Sequence, residues 1–338
     1  MKKYAGIDVS LEASSICILD EAGLVIWEGR ALSQPEVLSA TLRRQGGALE
    51  RVGLEAGPMS EWLFDGLTAA GFEVVLMETR HLQATLSAMP NKSDRLDARG
   101  IAQALRTGWY RPVHAKSAAA RRIRALLSAR RLVVSKRADI EAGVRGLLRG
   151  FGLKVGKTTP ARFGTRALTL AADTPVEAIV RPLVEVHAAL RAQELAFDRQ
   201  VYALAKTDPV TRLLASAPGV GAIVALTFRA AVDDPHRFRR ARQAGAQFGL
   251  IPRRYQSGEI DRMGGISRAG DASVRAALYE TATAILGRLK RPDPLAVWAH
   301  RIAARRGLKR ARVALARKLA VVLLAMWKTQ TAYRVTCA

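Results

Sequence analysis

The first ninety residues alternate short apolar runs with turn signals, and two of those runs end on an acid. This pattern restricts the fold more than any other feature of the chain. Residues 3–9, Lys-Tyr-Ala-Gly-Ile-Asp-Val, read as a strand carrying Asp8 near its end. Residues 14–19 and 24–28 read as two more strands, joined by a loop containing Glu21, Ala22 and Gly23. A helix over 35–44 follows, then a short buried strand over 52–55 that stops on Glu55. A helix over 61–70 is halted by Gly71, and a strand over 72–77 and a helix over 79–88 complete the series. Three antiparallel strands followed by helix–strand alternation predict a mixed α/β sheet with helices on its faces. In such sheets functional groups collect at strand ends, so Asp8 and Glu55 can meet there.

The next helical pattern opens on Lys92-Ser93-Asp94-Arg95-Leu96-Asp97-Ala98-Arg99-Gly100. Asp94 and Asp97 are three apart, which on a helix puts both on one face with roughly 5–6 Å between Cβ atoms. Two carboxylates that close repel unless a cation lies between them, and a hard divalent ion such as Mg²⁺ prefers oxygen ligands. The plainer reading is a helix start, with Ser93 or Asp94 as N-cap and both acids favoured by the helix dipole.

Charge divides the chain. The 338 residues carry 54 Lys+Arg against 29 Asp+Glu, a net +25. Residues 1–105 hold slightly more acids than bases, so the whole excess lies beyond them. A basic body of this size implies a polyanion partner, nucleic acid first among them. Cys17 and Cys337 supply neither a disulfide framework nor a thiolate metal site, and the five His form no ligand pair. Asp8 interrupts any leader-like apolar run, and the apolar run over 319–327 is far shorter than the ~20 residues that span a bilayer. A cytoplasmic, nucleoid-associated bacterial protein without a membrane partner is expected.

After a linker over 109–117, residues 118–148 form one amphipathic pattern. Its polar face carries Arg121, Arg122, Arg124, Arg130, Arg131, Lys136 and Arg137. Few acids alternate with them, so phosphate contact is expected in place of ion-pair lacing. Residues 150–175 read as loop. A second long helix starts near Pro182, because proline costs about 3 kcal/mol inside a helix. Leu183, Val186, Leu190, Phe197, Val201 and Leu204 give it a heptad-like seam, for pairing with the first long helix or with a second subunit. Gly219 and Gly221, in Ala217-Pro218-Gly219-Val220-Gly221, suit either a helix-hairpin-helix approaching phosphate or an ordinary turn between core helices. Two Ser-containing, glycine-flanked segments follow, one with Arg253, Arg254, Tyr255 and Ser257, the other with Ser267 and Arg268. Arg262 and Arg275 add to a cluster able to hold a phosphodiester. Residues 301–327 form a basic amphipathic helix pair.

Asp8, Glu55, Asp94 and Asp97, in this order, resemble the Asp-Glu-Asp-Asp set of the RuvC-like, ribonuclease H-type nucleases. The Lys92–Ala98 phrase and Glu55-Ala56-Gly57 are most similar to the DEDD-type insertion-sequence transposases, relatives of the Piv invertase. Ser257 corresponds to that family's serine nucleophile, and Ile266-Ser267-Arg268-Ala269-Gly270 to its later serine phrase, with Arg for Lys. The resemblance implies an α/β RuvC-like (RNase H-like) mixed-sheet domain over 1–108, a basic helical, coiled-coil linker domain over 109–207 and a helical transposase domain over 208–338. It implies that the four acids hold Mg²⁺ or Mn²⁺, as two ions, and that Ser257 forms a covalent bond to DNA. It further implies double-stranded DNA partners at element ends and target, a structured guide RNA, and a homo-oligomer, dimer or tetramer. Two other readings stay open: a junction-resolving nuclease that uses water, and a nucleic-acid-binding protein that has lost catalysis.

Overall fold

Strand β1 (Lys3–Asp8) lies at the centre of a five-stranded sheet in the computed structural model, which describes residues 1–86, 93–258, 260–289 and 293–334. Lys92, Cys337 and the last two residues of the helix expected over 79–88 lie outside the described residues. The other strands are β2 (Ala13–Asp20), β3 (Val25–Leu32), β4 (Arg51–Glu55) and β5 (Val74–Met77), in the spatial order β3-β2-β1-β4-β5. The first three are antiparallel; β4 and β5 run parallel to β1. This is the mixed α/β sheet expected. β3 runs on to Leu32, four residues past its expected end, because its outer residues still pair with β2 down to Ala13↔Leu32.

Alternation assigns the two faces of the sheet. Ala5, Ile7, Ile16, Ile18, Val52, Leu54 and Leu76 point to one side, against α1 (Pro35–Gly46) and α2 (Ser60–Ala69), where Leu38, Leu42, Leu63 and Leu67 are fully buried. The opposite face takes α4 (Asp94–Thr107), which buries Ala98, Ile101, Ala102 and Leu105. Helix α3 (Thr79–Leu86) stands between β5 and the residues that precede α4. The segment after α4, expected as a free linker, turns back along the sheet: Pro112 bridges Met77, and Val113 N donates to Leu76 O at 2.8 Å. It covers an edge that β5 would otherwise leave open.

Residues 1–116 form one compact unit and 117–338 another. The second is helical: α5 (Ala118–Gly150), α6 (Pro160–Ala171), α7 (Glu177–Thr207), α8 (Pro209–Leu214), α9 (Ala222–Val232), α10 (Gln243–Gln247), α11 (Ala272–Arg288), α12 (Pro294–Arg306) and α13 (Leu308–Thr329), with one hairpin, β6 (Pro252–Ser257) and β7 (Ile260–Ile266). α5 and α7 pack antiparallel. Val144 and Leu148 near the end of α5 meet Val180 and Val184 near the start of α7, while Ile123 and Leu127 meet Val201. A separate core, with Phe228, Phe248, Leu278, Leu319 and Leu323, joins α9 to α13.

Three expectations are corrected here. Residues 150–175 are not all loop, because Phe163, Ala167 and Ala171 form the buried stripe of α6 against α7. Helix α7 begins at Glu177 and runs through Pro182; burial of Val180 and Val184 on either side offsets the single backbone hydrogen bond that proline removes. The buried side of α7 matches the apolar seam only in part: Val201 is buried, and Leu183 and Leu204 pack at its margin. It comprises Val180, Val184, His187, Glu194 and Val201, and Val186 is exposed. Polar residues fit there because Arg137 of α5 answers them: its Nε meets Glu194 Oε2 at 2.6 Å, and it also pairs with Glu141, which bonds His187 Nε2 at 2.9 Å.

Candidate active site

Helix α4 approaches the sheet more closely than side chains normally allow. A Cβ at Gly6 would lie 2.3 Å from both Ala102 N and Ala98 O, and one at Gly53 would lie 3.1 Å from Ile101 Cγ2. Two glycines in neighbouring strands form a lane in which the helix rests on bare backbone. The lane also orients the helix. Its last turn is near the β2–β3 turn, where Gly23 abuts Arg106, so its N-terminus stands over the carboxyl ends of β1 and β4.

The acids are placed by that arrangement. The parallel register pairs Ile7 with Leu54, both in the opposite core, so Asp8 and Glu55 follow them at the next position and share the α4 side. Both are half-buried. Ser93 caps α4, its hydroxyl accepting from Leu96 N at 3.3 Å, and Asp94 and Asp97 fall in the first turn. They extend the stripe of Ala98, Ile101 and Leu105 that faces the sheet. Asp94 shares a groove with Ser15 and Glu28, and Ser15 is the residue opposite Asp8 in the β1–β2 register. Arg95 Nε lies 2.5 Å from Glu28 Oε2 of β3, which ties the first turn of α4 to the sheet. Sequence reasoning missed this contact; no spacing links residues 28 and 95. Beneath it, burial and the Glu28 carboxylate push the Cys17 thiol up to about 12.

Asp8 and Glu55 thus stand side by side on the α4 side of the sheet, and Asp94 and Asp97 lie in the first turn of that helix. Among the described residues, no group of three or more His, Cys, Asp or Glu side chains is placed to hold a metal ion. The donor chemistry nevertheless suits a hard cation: every candidate ligand is a carboxylate, and Mg²⁺ is commonly held through only one or two of them, keeping its waters.

Ser257 belongs to the second unit. It ends β6 and pairs with Ile260, so it flanks a two-residue turn in which Gly258 takes φ +55. The hairpin was not foreseen; Ser-Gly-Glu-Ile in an otherwise alternating stretch is a signal for it. Arg254 binds Asp261 across the hairpin through two bonds, at 2.8 and 2.7 Å, and Tyr255 is exposed. Ser267, by contrast, sits at the base: its N donates to Ile251 O, and its carbonyl accepts from Arg253. Arg275 is engaged within the protein, its Nη1 donating to the carbonyls of Phe248, Ala269 and Gly270.

The basic face of α5 also needs correction. Arg130 Nε meets Asp198 Oδ1 at 2.6 Å, Arg124 pairs with Asp271, and Arg131 donates to Ser273. Asp198 and Asp271 come from outside α5, which its pattern alone could not reveal, while Asp139 and Glu141 of α5 itself pair with Lys136 and Arg137. Arg122 is exposed and Arg121 half-buried on the same helix. Gly219 has φ +72 and faces Ile285 and Thr281 of α11, while Gly221 caps α9.

Comparison with known proteins gives consistent matches. Residues 211–299 match the family described as "Transposase IS116/IS110/IS902 family", and residues 5–152 match a DEDD transposase model of the IS110 type. The chain is 30% identical over 339 residues to the transposase for insertion sequence element IS1111A of Coxiella burnetii, covering 98% of this chain and 91% of that protein. It is 31% identical over 253 residues to a probable family 20 transposase of Pseudomonas aeruginosa, covering 72% and 74%. A solved structure of T. thermophilus RuvC in complex with a Holliday junction substrate aligns with 33% of this chain and all of that one, at 14% identity and a TM-score of 0.27.

Proposed function

Since the chain belongs to the IS116/IS110/IS902 transposase family, we propose that it cuts and rejoins DNA through Asp8, Glu55, Asp94 and Asp97 together with Ser257. The observation that supports this reading is the side-by-side placement of Asp8 and Glu55 at neighbouring strand ends on the face that α4 covers, with Asp94 and Asp97 in the first turn of α4. Asp8, Glu55, Asp94 and Asp97 would hold Mg²⁺ or Mn²⁺. When bound, two such ions stabilise the attacking and leaving oxygens of a phosphoryl transfer. Ser257 Oγ bonds to phosphorus as the bond from phosphorus to the leaving deoxyribose oxygen breaks. The proton lost by the hydroxyl ends on that oxygen, and the reverse exchange with a new strand end rejoins the DNA. A serine hydroxyl needs such activation because it is a weak nucleophile at neutral pH.

The partners follow from the same reading. Element-end and target DNA, and a structured guide RNA, meet a chain whose positive charge lies outside the acid-bearing unit. The antiparallel arm of α5 and α7 leaves Leu132, Leu195 and Tyr202 exposed, which supports a homo-oligomer built through the arm. On this reading the helices up to residue 207 form that arm and residues 208–338 the transposase domain.

The test is a Mg²⁺-dependent assay on end-labelled element DNA with denaturing electrophoresis. The intact protein forms a protein–DNA adduct, Ser257→Ala forms none, and Asp8→Ala cuts no strand. Cleavage by Ser257→Ala that leaves hydrolysed ends would favour the water-using nuclease instead.

A further inference from the structure

At the base of the β6–β7 hairpin lies an open groove of about 1190 Å³ between β7, α11, α12 and α13. It exceeds the roughly 300–1,000 Å³ of pockets built for small molecules, which suits a segment of polymer. Its floor is apolar and aromatic, with Ile266, Tyr279, Trp298 and Val313 all partly exposed. Its rim is cationic, with Arg253, Arg268, Arg310, Arg317 and Lys318, and no acid is among the described residues that line it.

That combination has a definite complement. Paired DNA presents phosphates to a protein and keeps its base faces stacked inward. An unpaired nucleotide presents both a phosphate and an apolar π-face, and grooves for single strands answer with cations and aromatic rings. Lys318 Nζ already sits 4.5 Å over the Trp298 ring, so cation and ring occur as one unit.

One rim cation is held in place by backbone. Arg268 has φ +56, a conformation seldom adopted by residues other than glycine, and its N donates to Gly249 O at 3.1 Å. The Arg275 guanidinium secures the next two carbonyls, at Ala269 and Gly270. Strained residues persist where the surroundings over-determine them, commonly at ligand clamps.

From these observations we infer that the groove holds an unpaired stretch of nucleic acid, taking a base against Tyr279 and Trp298 and its phosphates on Arg268, Arg317 and Lys318. The inference rests on the reading of the chain as a DNA-processing transposase. It adds that the DNA is opened beside the hairpin that bears Ser257, and that this groove keeps the opened strand from re-pairing.

Binding can be measured without chemistry in the Ser257→Ala protein, by fluorescence anisotropy. The probes are a fully paired mixed-sequence duplex and the same duplex with a short unpaired gap. The gapped probe is expected to bind about tenfold more tightly, the contribution of one stacked base. Trp298→Leu should remove that preference and leave duplex affinity within about twofold, the difference being the stacking alone. Because Trp298 also touches the core, Gly265→Leu is the second variant: an added Cβ there meets nothing within 4 Å, the longer side chain narrows the groove, and an unchanged circular dichroism spectrum checks that the fold is kept. It too should lose the preference. Equal binding of both probes by the parent protein, or a preference that survives both substitutions, overturns the inference. So does a loss of oligomer order in sedimentation on Gly265→Leu, which would give the groove to a second copy of the chain. Adduct formation by the Ser257 protein is read separately, so failure here leaves the proposed chemistry standing or falling by its own assay.

Discussion

Asp8 and Glu55 sit side by side at the ends of two neighbouring parallel strands, one step beyond the paired Ile7 and Leu54, and both face α4. The pair follows from register alone and does not depend on how any loop is arranged. Replacing either acid by Ala should lower Mg²⁺-dependent strand cleavage by about 10³-fold or more, the loss of roughly 4 kcal/mol of transition-state stabilisation. The circular dichroism spectrum and melting temperature should remain those of the parent. A variant that keeps more than a tenth of the activity would remove that residue from the site.

Gly6→Ala should be among the most damaging small substitutions in the chain. Its methyl group would meet backbone at 2.3 Å on both Ala98 and Ala102, and neither can move without lifting α4 off the sheet. Overpacking of this kind costs about 1–3 kcal/mol or more. Cleavage should fall with it, since Asp94 and Asp97 move with the helix. Gly143→Ala is the control: it lies exposed within α5, with nothing within 4 Å of the added carbon. It should stabilise by about 0.5–1 kcal/mol. Urea titration of the two variants reads the contrast.

The arm of α5 and α7 depends on a buried charge. Arg137 is 8% exposed and serves Glu194 and Glu141 at once. Arg137→Ala leaves the buried Glu194 with only the Arg191 contact at 3.3 Å and Glu141 with only His187, and should cost about 3 kcal/mol. Arg137→Met with Glu194→Leu, which removes charge from both sides, should recover much of that loss. Chemical denaturation followed at α-helical wavelengths checks the difference.

Asp271 links α5 to the start of α11. Burial raises its carboxyl's pKa, but the Arg124 guanidinium and the amides of Ser273 and Val274 outweigh burial and hold it below the usual carboxylate value. A depressed folded pKa means that the unfolded chain binds the proton first. The stabilisation is therefore complete above the ordinary Asp range near 3.9 and is lost as pH falls through it and below. Asp271→Ala should cost about 1–2 kcal/mol at pH 7 through the lost cap and pair, and less at pH 3. Parallel melting curves at the two pH values test the sign.

Much of the acid-bearing unit is legible in the sequence because its information is local. Strand ends, stop glycines and the Ser93 cap each lie within a few residues of the feature they define. Asp8 and Glu55 needed only the strand order to be brought side by side. What stayed hidden was set by distant partners. Arg124 and Arg130 read as a bare cationic face because Asp271 and Asp198 answer them from other helices. His187 and Glu194 did not read as seam residues because the partners that let them be buried, Glu141 and Arg137, lie on the opposite helix. Arg275 read as a phosphate ligand, yet its guanidinium holds a turn that no pattern in its own helix marks.

The ribbon of β6 and β7 has almost no buried side chain along either strand. Two strands without an apolar underside are barely stable by themselves in water. Ser257 is thus carried at the far end of a ribbon that is anchored at its base, where Ile266 packs on the core. On the proposed reading this would act as a safety catch: the hydroxyl would be held firmly only once nucleic acid lies along the ribbon and stiffens it.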